Sequence, residues 1–351
     1  MKKNLILISI LILIFLSACE TVENESGLYS NGAFVVNEGT FGSSNGAVSY
    51  INYDNNLVTD DIFNQVNGRP VGDVLQNIYL HNGKAYLVVN GSNRVEIVDN
   101  YSFEQLGVIT GLDNPRNLVI MGNKAFISQW GENGAIKVVN LSNYQIEATI
   151  TVGKGPEMLM IYDGKILCAN GGGFSKDNTV SIIDPVTLKV TSTLNVADNP
   201  KEMIIDKDLA VWVLCSGAIT YDQNWNIASE TPSYLVKCAG SDLKTITKYK
   251  IADRQHPYHL DCNPERSVIY VGGGFGFSNI YTFTLGNTAL SNVPFIKGNF
   301  YGFNVNNYNG DIYACKSEDF TKPGYVVKYT QTGVKTDSVK VGIAPNSVIF
   351  Q

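Results

Sequence analysis

One pattern of strands and turns repeats seven times between Gly32 and the C-terminus, with a period of about 45 residues. Each period contains an apolar strand rich in β-branched and aromatic residues, with a shorter strand before it and alternating strands after it. These apolar strands begin at Ala33, Lys84, Lys124, Lys165, Ala210, Val268 and Asp311. Four strands per period predict an all-β fold, a β-propeller of seven blades.

The two ends of the repeat are complementary. Residues 346–350 read as a first strand with nothing after it, whereas Ala33 begins a second strand that lacks a first. We therefore expect the C-terminal strand to complete the N-terminal blade, so that residues 32–351 form one closed ring. Asn82-Gly83, Asp163-Gly164 and Asn309-Gly310 predict two-residue hairpin turns, because these pairs adopt positive φ at low cost.

The first residues read as a sorting signal. Lys2 and Lys3 precede an apolar stretch centred on residues 5–16, and Leu-Ser-Ala-Cys ends at Cys19. This end resembles a bacterial lipobox, which implies a signal peptide over residues 1–18 and lipidation of Cys19. The alternative is a plain N-terminal anchor helix, for which the apolar run is short.

An acidic segment follows the cysteine. Residues 19–31 carry Glu20, Glu23 and Glu25 and read as a flexible tether. The segment resembles the surface-export signal of Bacteroidetes lipoproteins, which implies a propeller anchored by lipid to the outer membrane and exposed at the cell surface. The alternative is a disordered linker on a periplasmic lipoprotein.

The charge balance argues against nucleic acid as the main partner. The sequence has 32 acidic and 26 basic residues, and removal of Lys2 and Lys3 makes the balance more negative. The remaining Lys and Arg residues are scattered, whereas a polyanion needs a basic footprint.

The cysteines indicate core positions. Cys168, Cys215 and Cys315 fall late in the second strands of three blades, which is typical of small buried residues. Cys238 and Cys262 would pair only if adjacent blades bring them together, and the sequence leaves this open. We assign no metal or redox role to any of them.

Loop chemistry separates the two faces of the ring. Turns between first and second strands are short, whereas loops between second and third strands are long and irregular, as functional loops often are. Six blades place an aromatic residue in a long loop, and the second blade offers Arg94 instead. These candidate rim residues are Phe41, Arg94, Trp130, Phe174, Tyr221, Trp225, Phe275, Phe277 and Phe320. They would bind an apolar ligand surface, or alternatively plug the wedges between blades.

A second, inner ring of candidates follows a recurring Pro at the start of innermost strands. Its members are Gln76, Asn77, Arg116, Asn117, Glu157, Lys201, Glu202, Tyr258, His259, Tyr301 and Asn346. They predict a mixed polar floor at the mouth of the central channel. With an aromatic rim above it, this floor suits a large, amphipathic, neutral ligand, although such groups also bind ordered water.

Catalytic signals are weak. The three histidines are His81 in a hairpin turn and His256 with His259 in one short segment, whose spacing is not a metal signature. The sequence has no nucleophile-elbow or phosphate-loop motif. We therefore expect a protein that is not an enzyme and has no cofactor; a propeller lyase or lactonase using His256 or His259 is an alternative.

The blade pattern resembles the YVTN or YncE-like propellers. It has Pro before the innermost strand and an Asp184-Pro185-x-Thr187 third turn. Together with the lipobox and acidic tether, this resemblance extends to Bacteroidetes surface lipoproteins of the BtuG-like type. It implies a monomeric propeller that captures cobalamin, a corrinoid, for a TonB-dependent transporter of the outer membrane. A protein- or glycan-interaction module is the alternative.

Overall fold

A computed structural model describes residues 27–274 and 276–351. The residues of the predicted signal peptide, Cys19, most of the predicted tether and Phe275 lie outside the described residues. In the described ranges, no helix is long and apolar enough to span a bilayer.

The described residues form seven antiparallel sheets arranged as the blades of a propeller. The first blade contains β1 (Gly32–Asn37), β2 (Ala47–Asn52) and β3 (Val58–Thr59). The second contains β4 (Leu75–His81), β5 (Lys84–Val89), β6 (Arg94–Asp99) and β7 (Gln105–Ile109). The third contains β8 (Pro115–Met121), β9 (Lys124–Gln129), β10 (Ala135–Asn140) and β11 (Gln145–Thr151). The fourth blade contains β12 (Pro156–Tyr162), β13 (Lys165–Asn170), β14 (Thr179–Asp184) and β15 (Lys189–Asn195). The fifth contains β16 (Pro200–Ile205), β17 (Val211–Cys215), β20 (Ser233–Ala239) and β21 (Thr245–Ala252). A hairpin of β18 (Ile219–Tyr221) and β19 (Ile227–Glu230) is inserted between β17 and β20. The last two are β22 (His259–Cys262), β23 (Val268–Gly272) and β24 (Ile280–Thr284); and β25 (Gly302–Val305), β26 (Ile312–Lys316), β27 (Pro323–Tyr329) and β28 (Lys335–Ile343), before β29 (Pro345–Phe350). The predicted all-β, seven-bladed propeller is confirmed.

The C-terminal strand closes the ring as predicted. β29 is antiparallel to β1, with Val348 opposite Val35 and Ile349 opposite Phe34, and the order of this blade is β29-β1-β2-β3. Val348 is 1% exposed. Closure therefore buries apolar side chains as well as pairing the inner edge of β1.

Three elements depart from the regular blade. A short helix, α1 (Ile62–Asn67), links the first two blades and buries Ile62 and Phe63. The sixth blade has a three-stranded sheet, and residues 285–300 run beside its outer strand, where Ile296 pairs with Ile280. The β18–β19 hairpin forms a separate two-stranded sheet on the face of the long loops.

The hairpin-turn predictions were right in two of three places. Asn82 and Gly83 have φ values of 48° and 70°, and Asp163 and Gly164 have φ values of 45° and 69°. A two-residue hairpin turn of this type requires positive φ at both of its central residues. The prediction at Asn309-Gly310 is wrong, because β25 ends at Val305 and β26 begins at Ile312, so a longer loop connects them.

The end of the expected tether packs against the ring. Tyr29 is 7% exposed, its amide donates to the carbonyl of Tyr101 at 3.1 Å, and its ring meets Tyr50 and Phe103 edge-on. Residues 27–31 are thus ordered against the first two blades. The aromatic side chain explains this, because Tyr29 gains apolar burial that the acidic residues before it cannot provide.

Apolar layers between neighbouring blades form the core. Between the fifth and sixth blades, Trp212 stacks on Tyr249 and both pack against Phe283. The predicted core cysteines are buried, and Cys238 and Cys262 are free rather than paired. Burial raises the pKa of the Cys238 and Cys262 thiols to about 12, so both are protonated at neutral pH.

The innermost strands contact one another around the channel. In five blades the pairing of this strand slips at its first residues, just after Leu75, Pro115, Pro156, Pro200 and Pro345. The residue before each of these positions has a left-handed backbone: Val74, Asn114, Gly155, Asn199 and Ala344. A bulge places an extra, unpaired residue in the strand and redirects its side chain. Here that residue faces the mouth of the channel.

Candidate functional site

A cavity of about 660 Å³ lies at the channel mouth, on the face of the long loops. Every blade contributes the first residues of its innermost strand, and all eleven residues of the predicted inner ring line the cavity. Glu38, Phe41 and Phe320 add loop side chains to its wall. The volume is within the range of small-molecule pockets, roughly 300–1,000 Å³.

Seven residues, one from each blade, form what we call the floor ring. They are Gln76, Arg116, Glu157, Lys201, Tyr258, Tyr301 and Asn346. Arg116 Nε donates to Glu157 Oε2 at 2.8 Å and its Nη1 donates to Gln76 Oε1 at 2.6 Å. Lys201 Nζ donates to the other oxygen of Glu157 at 2.7 Å. Neighbouring blades are thus joined by charged side chains directly beneath the cavity.

The rest of the floor ring is joined in the same way. The Lys201 ammonium lies 5.4 Å from the centre of the Tyr258 ring. Across the cavity, the Tyr301 hydroxyl and the Asn346 amide both donate to Glu38, at 2.9 and 2.8 Å. Glu157 in the floor ring and Glu38 in the cavity wall therefore each accept from two side-chain donors, as burial requires.

A second set of side chains, which we call the collar, bonds from one blade to the backbone of the next. Its members accept from N–H groups of the following inner strand: Asn117 from Leu159, Met158 from Met203, Glu202 from Leu260, Asp261 from Val305 and Asn304 from Val348. Inner edge strands have N–H groups without a strand partner, and the collar satisfies them. Asn117 and Glu202, predicted as ligand contacts, thus also hold the ring together.

The charged groups of the cavity affect one another's protonation. Burial alone would raise the pKa of Glu157, but Arg116 and Lys201 overcome this and hold it below its usual range. Burial raises the pKa of Asp261 to about 7, because it outweighs the bonds from Val305 and Cys262. This carboxyl is therefore partly protonated near neutral pH.

His259 pairs with an acidic neighbour. Its Nδ1 lies 3.1 Å from Glu202 Oε1. Burial opposes protonation of the ring, but Glu202, with Glu38 and Asp261, more than compensates and raises the pKa of His259 above its usual value. The cavity therefore combines acidic and basic groups that largely neutralise each other.

Exposed aromatic side chains stand around this cavity. Phe41 is 84% exposed and Phe174 is 95% exposed. Phe174 packs edge-on against Trp130, which lies over the Arg116 guanidinium at 4.4 Å, and Phe320 packs against Tyr301. Phe41 and Phe320 line the cavity, Trp130 contacts the floor ring through Arg116, and Phe174 is connected to the floor ring through Trp130.

Tyr221 and Trp225 occupy the β18–β19 hairpin on the same face. Their ring centres are 6.2 Å apart, and Trp225 is 84% exposed with a left-handed backbone, φ 62°. The Asp222 carboxylate fixes the turn by accepting from the amides of Asn224 and Asn226, at 2.8 and 2.9 Å. The turn therefore holds a large apolar ring in water in a strained conformation, which is common at functional sites.

Of the predicted rim residues that the structure describes, Phe41 and Phe320 line the cavity, whereas Trp130, Phe174, Tyr221 and Trp225 lie outside its lining. Two others are not part of an exposed rim. Phe277 is 4% exposed and packs against Tyr281, so its interpretation as an exposed rim residue is wrong; it plugs the sixth blade. Arg94 does not line the cavity, because its guanidinium binds Glu96 at 2.6 Å and the carbonyl of Val71 at 2.7 Å. Phe275 lies outside the described residues.

The two candidate catalytic histidines are in different environments. His259 lines the cavity, whereas His256 is 7% exposed and lies outside the lining. His256 Nδ1 donates to the Ser216 carbonyl at 2.6 Å, and its Nε2 lies 3.6 Å from Glu230. In the part of the chain that the structure describes, no group of three His, Cys, Asp or Glu side chains is placed to hold a metal ion.

Sequence reasoning missed several cavity residues. Glu38, Asp261, Asn304 and Ser347 line the cavity but were not among the residues predicted for the inner ring. Glu38 follows the first apolar strand in a long loop, which was the available signal. Asn304 and Asp261 are three positions beyond Tyr301 and Tyr258, so aligning the repeats further along the inner strands would have found them.

The sequence profile of one family, described as Domain of unknown function (DUF5074), matches residues 31–221. No curated protein matches the sequence.

Solved structures with the same fold are numerous. A quinonprotein alcohol dehydrogenase-like protein from Bacteroides thetaiotaomicron has a TM-score of 0.66 and 19% identity, over 92% of this chain and 78% of its own. A putative 6-phosphogluconolactonase from Bacteroides fragilis has a TM-score of 0.66 and 12% identity, over 94% of this chain and 99% of its own. The periplasmic gluconolactonase of Pseudomonas aeruginosa has a TM-score of 0.64 and 12% identity, over 91% of this chain and 98% of its own. At such identities the similarity concerns the fold alone.

Proposed function

Because the chain belongs to DUF5074, a family of domains of unknown function, we propose its function from its own cavity: it binds a large, amphipathic, overall neutral small molecule without transforming it. The supporting observation is the combination of a 660 Å³ cavity of mixed polar and apolar lining, with Phe41 in its wall, and further exposed aromatics on the same face of the ring. The floor offers hydrogen bonds, and Phe41, Phe174 and Trp225 offer apolar surface.

The state of the floor ring favours binding over catalysis. Glu157 is held between Arg116 and Lys201, and Glu38 between Tyr301 and Asn346. Groups fixed in such pairs provide a rigid, preorganised surface, which lowers the entropic cost of binding. The cavity contains acids and bases in similar number, which agrees with a neutral ligand.

A corrinoid is the ligand class that we propose. Its peripheral amides match the floor, and its macrocycle offers apolar faces to the aromatics. In this proposal Cys19 is lipidated, the propeller is exposed on the outer membrane of a bacterium, and it passes the ligand to a TonB-dependent transporter. These cellular features are supported by the sequence of residues 1–31.

Calorimetric titration with cyanocobalamin tests the proposal. The ring of residues 27–351 is suitable, because its seven blades are closed among themselves. We expect saturable binding without turnover, and an affinity at least about tenfold weaker for Trp225→Ala. Tyr308→Ala is the control, since Tyr308 is a 79% exposed aromatic on the opposite face of the ring, which carries the turns between first and second strands and between third and fourth strands and which we call the structural face. Absence of binding would overturn the corrinoid proposal.

One observation favours a second candidate, a lyase or lactonase. His259 lines the cavity beside Glu202, an arrangement that can serve a general base. This candidate predicts turnover of lactones that disappears in His259→Ala. Turnover that survives both His256→Ala and His259→Ala, or an absence of turnover across a substrate panel, would rule out this candidate.

A protein- or glycan-interaction module would use the same aromatics. Glycan screening of the native protein and of Trp225→Ala tests this alternative.

A further inference from the structure

The charges of the floor ring are distributed unevenly. Three consecutive blades contribute Arg116, Glu157 and Lys201, so two cations flank one carboxylate. The side chains of both cations are 18% exposed and that of Glu157 is 8% exposed, and all three line the cavity. These three side chains therefore carry one positive charge in excess, and the carboxylate of Glu202, next to Lys201, is paired with His259. On the opposite side lie the carboxylates of Glu38 and Asp261.

The two cations are held in place. Arg116 is fixed by Glu157 and Gln76 and is covered by the Trp130 ring at 4.4 Å. These two bonds use two of the five guanidinium N–H groups, and Lys201 uses one of its three N–H groups on Glu157. Both cations therefore retain donors for a further acceptor, at positions set before any ligand arrives.

Partial burial makes this excess charge matter. In water a lone charge is stabilised by solvent, whereas a half-buried cavity offers less solvent and interactions there are stronger. An oxyanion placed against Arg116 and Lys201 would complete a set of two cations and two anions. Arginine and lysine are the side chains that usually bind carboxylate and phosphate groups.

We propose that Arg116 and Lys201 form an oxyanion subsite, which binds a phosphate or carboxylate group of the ligand on the side of the cavity formed by the third to fifth blades. This inference deepens the proposed function and rests on it, since it places one anionic group, offset by a positive charge elsewhere in the molecule, within an amphipathic ligand that is neutral overall. The ligand is thereby oriented, with its anion over Lys201 and its donor groups towards Glu38.

Inorganic phosphate tests the subsite without the whole ligand. Thermal unfolding of residues 27–351 is followed at pH 7 against sodium phosphate, with sodium chloride added to constant ionic strength. A ligand that binds the folded state raises the Tm in a saturable way. We expect Lys201→Gln to weaken apparent phosphate affinity at least about fivefold, and Lys244→Gln, an exposed lysine in a structural-face turn, to leave it unchanged.

A variant with increased phosphate affinity distinguishes an anion-binding role of Arg116 and Lys201 from a purely structural one. Glu157→Gln removes the internal anion and leaves two cations, so its Tm without phosphate should fall while its phosphate affinity rises at least about tenfold. Equal phosphate affinity in Lys201→Gln and Lys244→Gln, or no gain in Glu157→Gln, would overturn the subsite. Sodium acetate in place of phosphate decides between the two anion classes: a larger shift with acetate indicates a carboxylate.

The two proposals can fail separately. If phosphate binds as described and cyanocobalamin does not bind, the subsite stands and the corrinoid proposal falls. If cyanocobalamin binds native protein and Lys201→Gln equally, the corrinoid proposal stands and the subsite falls.

Discussion

In the third to fifth blades, two adjacent residues at the start of the inner strand have different contacts. The first, such as Arg116 or Lys201, belongs to the floor ring and faces the cavity. The second, such as Asn117 or Glu202, belongs to the collar and accepts from the backbone of the next blade. Successive side chains of a strand point to opposite sides, and this alternation separates the two roles.

Asp261 predicts a dependence of stability on pH. Its pKa of about 7 in the folded state is far above the value of about 3.9 in an unfolded chain, so the folded state binds this proton more tightly. The free energy of unfolding therefore falls as pH rises from about 4 to 7. The raised pKa of His259 acts in the same direction, because its stabilising charge is lost as pH rises through the folded pKa.

Urea unfolding at pH 5 to 8 measures this effect. We expect a fall on the order of 2 kcal/mol in the free energy of unfolding, less than the full shift implies because Asp261 is only half-buried. Asp261→Asn should lose more than half of this fall, and Asp208→Asn, an exposed turn residue, should keep it. Stability that increases with pH over this range would contradict the assignment.

Gly302 is required by a close approach of two backbones. A Cβ atom at this position would lie 1.7 Å from the carbonyl oxygen of Asn346, where the seventh and first blades meet. Gly302→Ala should therefore destabilise the ring by at least about 3 kcal/mol. Gly122→Ala is the control, because it has space for a methyl group and only a left-handed φ of 58°; its expected cost is about 1 kcal/mol. Equal losses in denaturant unfolding would refute the steric explanation.

At the scale of elements, the β18–β19 hairpin is an addition to its blade. Its strands pair with each other in a separate sheet, and Ala218 and Thr231 close its base by two hydrogen bonds, both near 2.9 Å. It therefore contributes an aromatic surface to the cavity face and little to the sheet of the fifth blade.

Replacing residues 220–229 with a short Gly-Ser turn tests this division. We expect the free energy of unfolding to change by less than about 1 kcal/mol, whereas cyanocobalamin affinity falls at least about tenfold, because Tyr221 and Trp225 are removed. Chemical denaturation and calorimetry measure the two effects. Loss of folding with retained affinity per folded molecule would show that the hairpin is structural.

The elements also show what sequence can and cannot predict. The period of the repeat and the residues at its turns were sufficient to predict seven blades and the closure of the ring, because the period and the turns are local patterns repeated along the chain. The recurring Pro located Arg116, Glu157 and Lys201, because the inner strands of these three blades begin at that Pro. Phe277 and Arg94 were misplaced, because burial and ion pairing depend on neighbours that are distant in sequence.

At the scale of the whole molecule, the last strand makes the ring a single unit. β29 supplies the inner strand of the first blade, and Val348 fills the layer beside Val35. Removing residues 345–351 should expose the edge of β1 and prevent folding to a soluble monomer. Near-ultraviolet circular dichroism and gel filtration measure this, with deletion of Gln351 alone as the control. A cooperative, monomeric truncated protein would refute the role of closure.

The alternation of floor ring and collar also bears on how such a ring can evolve. Since the collar residues keep neighbouring blades in register, the floor residues beside them can be exchanged with less risk to folding. Seven positions, one per blade, thus form a set of contacts around one cavity, of which the ion-paired group Arg116, Glu157 and Lys201 has to be exchanged as a unit. A designer who varies only these positions would obtain a library of receptors for different small molecules on an unchanged scaffold.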